Sequence, residues 1–95
     1  MMLSCSEIKA NLKEIRSYYE MREAIDAANV VMPKNLTRYS SAITNAPAKL
    51  FIVYYSLYVE NKTHDDLAEK LGYTRARIDH LNEDVVFFLQ RNLAS

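Results

Sequence analysis

The chain has one glycine, Gly72, and two prolines, Pro33 and Pro47, in 95 residues. Glycine takes positive φ at no steric cost and proline stops helices, so these residues punctuate a fold. With so little punctuation, long irregular stretches are disfavoured, while the supply of Ala, Leu, Lys and Glu favours helix. The expectation is an all-α fold: a small helical domain with a long N-terminal helix and a C-terminal helix-turn-helix. The glycine stands in "LAEKLGYTRARIDHL", Leu67 to Leu81, which marks the point where a left-handed turn is needed most.

Half the residues are apolar, a quarter are charged and the charges cancel, the profile of one folded domain and not of a disordered tail. Zero net charge argues against strong nonspecific binding to nucleic acid, so DNA binding requires a local basic patch, doubled by dimerisation. Cys5 is the sole cysteine, which fits a reducing compartment. The opening "MMLSCSEIKANL" lacks the apolar core of a signal peptide, and no apolar run is long enough for a membrane span. A cytoplasmic setting with no membrane partner is expected.

Along the chain, Ser4 or Ser6 caps a first helix spanning residues 1–31, with Glu7 in its first turn. Ile8, Leu12, Ile15 and Tyr19 draw one apolar stripe, which drifts to Tyr18, Met21, Ile25 and Ala28. "VVMPKN" ends this helix at Pro33, and Leu36 to Ile43 forms a short one. In "TNAPAKL", Thr44 or Asn45 caps the next helix with Pro47 in its first turn. That helix runs to about Glu60 and buries Leu50, Phe51, Tyr54, Leu57 and Tyr58, with Tyr55 off the buried face. Thr63 opens a further helix in a capping-box arrangement with Asp66, and it ends at Leu71. Thr74 caps the last helix. The organisation is a single domain, 1–95, with the N-terminal helix its most separable part and residues 46–93 a helix-turn-helix region.

A helix-turn-helix makes definite demands, and residues 67–81 meet them in register. Leu67 and Leu71 face the core, Ala68 is small where the second helix crosses, and Gly72 supplies the turn. Tyr73 tucks beneath that turn, and Ile78 and Leu81 anchor the second helix at i,i+3 spacing. The stretch "YVENKTHDDLAEKLGYTRARIDHLNEDVVFFL" resembles the helix-turn-helix of sigma-factor region 4 and related small regulators of phages and mobile elements, over about residues 46–90. The resemblance implies a second helix seated in the DNA major groove. It also implies transcription regulation through duplex DNA, with a homodimer or RNA polymerase as the protein partner.

Base contacts in such motifs come from the start of the second helix, which nominates Thr74, Arg75, Ala76, Arg77 and His80. Arginine grips guanine O6 and N7, an Ala76 methyl meets a thymine methyl, and Thr74 bonds a phosphate. Asp79 accepts from a cytosine amino group or, the favoured role, pairs with Arg75 one turn back. Lys70 and Lys62 are candidates for phosphate contact. Phe87 points away from the buried face. With Val86 and Leu93 it forms a dimer or partner seam, or else the first helix folds back to cover it. The rival to DNA binding is a protein–protein interaction module that keeps the helix-turn-helix fold.

Nothing announces catalysis: there is no phosphate-cradling glycine loop, nucleophile elbow or metal-ligand spacing. Asp65 and Asp66 read as first-turn acids that complement the helix dipole. The expectation is a non-enzyme with no cofactor and no metal.

Overall fold

The computed structural model describes residues 3–24 and 32–93. Every regular element among them is helical: α1 (Cys5–Ala24), α2 (Leu36–Ile43), α3 (Ala48–Tyr54), a π-helical continuation of α3 (Tyr55–Val59), α4 (His64–Leu71) and α5 (Arg75–Asn92). The all-α expectation holds. The stretch expected to continue the first helix to residue 31, with Ile25 and Ala28 on its stripe, lies outside the described residues. No described helix is long and apolar enough to cross a membrane.

At the start of α1, Ser4 is the residue that caps. Its Oγ accepts the Glu7 N–H at 3.1 Å, and the Glu7 carboxylate accepts the Ser4 N–H at 3.2 Å, a reciprocal capping box. The expected stripe then buries Ile8, Leu12 and Ile15 completely, each contributing roughly 1.5–3 kcal/mol relative to exposure. Met21, expected on the drifting stripe, is half exposed. At the other end of the chain, Gln90 Nε2 donates to the Leu3 carbonyl at 3.1 Å, so the start of α1 is tied to the end of α5.

Leu36, Tyr39 and Ile43 are the buried face of α2, and Asn11 of α1 donates to the Tyr39 hydroxyl at 2.8 Å. Thr44 closes α2 and does not open α3: its hydroxyl donates to the Ser41 carbonyl at 2.7 Å. The N–H groups of Asn45 and Ala46 likewise bond back to Ala42 and Ile43. The chain therefore completes one helix end before Pro47, at φ −53° and ψ 145°, caps the next from just outside its first turn.

Within α3 a further departure appears. The Glu60 N–H reaches the Tyr55 carbonyl at 2.9 Å, five residues back, so one turn holds an extra residue. Val53, Tyr54, Ser56, Leu57 and Tyr58 are buried, whereas Phe51, expected in the core, stands exposed beside Ile52 and stacks on exposed Tyr55 with ring centroids 6.1 Å apart. Asn61 ends the segment at φ 59°, one of the few side chains that tolerate this conformation. The carbonyls at this end are satisfied by Arg16 of α1, whose guanidinium donates to Leu57 at 2.9 Å, Lys62 at 3.0 Å and Asn61 at 3.2 Å. α1 both contributes buried residues to the core and terminates its neighbour.

α5 contacts all four other helices, and this fixes its buried arc. Ile78, Leu81, Val85, Val86, Leu89 and Leu93 are all buried, wider than the single stripe that a helix packed on one neighbour requires. The Tyr58 hydroxyl donates to Asn82 Oδ1 at 2.5 Å, and burial pushes its pKa up to about 12.

Candidate nucleic-acid interface

The pair α4–α5 is built from local signals at every joint. Thr63 Oγ1 accepts the Asp66 N–H at 3.0 Å, while Asp66 accepts the Thr63 N–H at 3.1 Å. The Asp66 carboxyl is held below its ordinary value, first by that backbone bond and then by the Thr63 side chain. At the far end of α4, Gly72 takes φ 71° and ψ 29°. The Tyr73 N–H returns to the Ala68 carbonyl at 2.9 Å and the Gly72 N–H to Glu69 at 3.3 Å, which satisfies the last carbonyls of α4 in a Schellman motif. Thr74 then caps α5, its Oγ1 accepting the Arg77 N–H at 3.1 Å.

This arrangement leaves each of the nominated residues exposed. From Thr74 to His80 only Ile78 is buried, and Thr74, Arg75, Ala76, Arg77, Asp79 and His80 all face solvent. Lys70 is exposed on the last turn of α4. His80 is more open than Arg75, with its Nε2 3.9 Å from Asp84 Oδ2.

Arg75 is not free. Its Nε donates to Asp79 Oδ1 at 3.0 Å, the i,i+4 pair expected from spacing, and its Nη1 donates to Asp65 Oδ1 at 3.1 Å on α4. The same Asp79 oxygen lies 2.7 Å from His64 Nδ1. The Asp79 carboxyl is accordingly held below its usual range, chiefly by His64 and next by Arg75, and the Arg75 guanidinium is held more firmly protonated by Asp79 and Asp65. Asp65, His64, Asp79 and Arg75 form a polar strut across the turn between α4 and α5. Asp65 is thus more than a first-turn acid, and His64 has a defined partner. Glu83 is likewise engaged, by Lys9 of α1 at 3.0 Å.

Arg77 is placed differently. Its Cζ lies 5.4 Å from the centroid of the Tyr73 ring, and Lys49 Nζ, from the first turn of α3, lies 5.7 Å from the same centroid. Neither cation has a carboxylate partner among the described residues. Lys49 is a member of this surface that sequence reasoning missed. It sits 24 residues before Tyr73, and only the tertiary fold brings the two together.

The seam of Val86, Phe87 and Leu93 needs correction. Val86 and Leu93 are buried within the chain, because α5 is gripped from several sides, and they offer nothing to a partner. Phe87 alone is exposed, at 51%, and α1 does not cover it. It lines a groove of about 400 Å³ with Leu50, Phe88, Asp84, Arg91 and Asn92.

Comparison with known proteins adds no relative: no family model matches the chain, and neither a curated protein nor a solved structure does.

Proposed function

We propose that this chain is a helix-turn-helix protein of the sigma region 4-like kind, which binds duplex DNA sequence-specifically with the start of α5 and regulates transcription. One observation carries the reading: the first two turns of α5 leave Thr74, Arg75, Ala76, Arg77 and His80 exposed, while Ile78 fixes the helix to the core. A helix so presented fits a major groove about 12 Å wide. Arg77, without a carboxylate partner among the described residues, is the residue assigned to guanine. Arg75 must exchange two carboxylates for DNA, so it contributes less to affinity and more to the angle between α4 and α5. The zero net charge makes a homodimer on two half-sites the favoured assembly, with RNA polymerase as a further partner.

Selection of duplexes from a random pool, followed by fluorescence anisotropy at low salt, tests the proposal. Arg77→Ala is expected to weaken the selected site by about 1–3 kcal/mol and to relax preference at one base pair. Arg75→Ala weakens it less. No enrichment and no binding by the wild type would refute DNA binding. The rival reading, a protein-interaction module, draws on exposed Phe51, Ile52, Tyr55 and Phe87, and would then take its place.

A further inference from the structure

We infer that Lys49 is a phosphate anchor of this interface, set beside Arg77 by the Tyr73 ring they share. The inference rests on the DNA-binding reading above and adds a contact from outside the α4–α5 pair. Lys49 Nζ and Arg77 Cζ lie 5.7 Å and 5.4 Å from one ring centroid, so the two cations stand no more than about 11 Å apart, the sum of those distances. Among the described residues neither cation forms an ion pair, whereas acids of α4 and α5 are engaged. Asp65 and Asp79 hold Arg75 and His64, and Glu83 holds Lys9. Two cations from different helices, unpaired among the described residues, thus share one ring.

Their setting favours an extended anion over a single small one. Both side chains are exposed and ride over one partly buried ring. Tyr73 immediately precedes Thr74, so the pair flanks the start of the reading helix. There the phosphodiester backbone beside the groove would pass. Lysine acts on phosphate as a compact point charge, which suits a contact that positions the duplex without reading it.

The test is the salt dependence of binding to the selected duplex, for the wild type, Lys49→Gln and Arg91→Gln. Arg91 is exposed near the end of α5, roughly 24 Å along the helix from Arg75, and its replacement removes the same charge. Lys49→Gln is expected to lower the slope of log K against log salt by about 0.9, one phosphate contact. Affinity should fall equally on selected and scrambled duplexes, and Arg91→Gln should leave the slope unchanged. An unchanged slope for Lys49→Gln, a loss confined to the selected duplex, or an equal drop for Arg91→Gln overturns the anchor and leaves the DNA-binding reading standing. A wild type that binds no duplex removes that reading and the anchor together.

Discussion

Replacing Gly72 by alanine isolates the conformational demand of the turn from every other term. The residue sits at φ 71°, and a Cβ built there meets nothing within 4 Å, so the substitution introduces strain without a clash. The N–H groups of residues 72 and 73 stay in place, so the Schellman bonds to Glu69 and Ala68 survive. A left-handed backbone costs an L-residue about 1–2 kcal/mol. Alanine also restricts the unfolded chain, which returns about 0.4–1 kcal/mol. The net expectation is a loss of about 1 kcal/mol, or ~4–8 °C in Tm for a domain of this size. Urea denaturation reads the change as a lower midpoint at constant m. Gly72→Asn should lose less than Gly72→Ala, because asparagine enters this region more readily. A neutral or stabilising Gly72→Ala would mean that residue 72 is not left-handed in solution. A loss beyond about 3 kcal/mol, the scale of overpacking, would mean that the space beside it is filled.

The Tyr54 hydroxyl is buried without a hydrogen-bond partner among the described residues, although Ser40 lies near enough to lower its pKa against the larger effect of burial. Tyr54→Phe should therefore raise stability in urea by up to about 1 kcal/mol, and a loss would reveal a bond to Ser40 in solution. Arg16→Met keeps the apolar stem but leaves the Leu57, Asn61 and Lys62 carbonyls without their donor. A loss of about 1.5–3 kcal/mol is expected, with faster amide exchange at the end of the π segment. At alkaline pH, Tyr58 should release its proton near 12 in the folded state against about 10 when unfolded. Its contribution is thus present below pH 10 and lost as pH rises towards 12, which tyrosinate absorbance and circular dichroism followed together will show. At acid pH the sign reverses. Asp66 and Asp79 are depressed in the fold, so their contribution holds above about pH 4 and fades below it, measurable by carboxyl NMR titration.

The joints of this fold were legible because their chemistry is local. The Thr63–Asp66 capping box, the Gly72 turn and the Thr74 cap each act within three or four residues, as does the Arg75–Asp79 pair. What could not be read came from distance. The π turn that follows Phe51 changes the helical phase of the segment, and its end is held by Arg16, more than forty residues earlier. Val86 and Leu93 turned inward because α5 has four neighbours, which a single-helix stripe does not encode. At the candidate site, the exposed face of α5 followed from periodicity. The capture of Arg75 by Asp65 crosses a turn, and the approach of Lys49 to Tyr73 crosses the whole α3 segment. The error at Thr44 had another source: a threonine two residues before Ala46 and three before Pro47 suits the end of one helix as well as the start of the next.

The attachment of α1 has a consequence for synthesis. Arg16 finds its carbonyls 41 to 46 residues later, and Leu3 finds Gln90 87 residues later, whereas the strut between α4 and α5 closes over 10 to 15. Closing short loops is entropically cheaper, so α4 and α5 can organise each other as soon as both exist. α1 is made before the other four helices and must wait longest among them. At ~5–20 residues per second, Ile8, Leu12 and Ile15 stay in water for several seconds before the surface that buries them has been made. Among the described helices, the one whose start is tied to the end of α5 is also the one whose apolar stripe waits longest for cover.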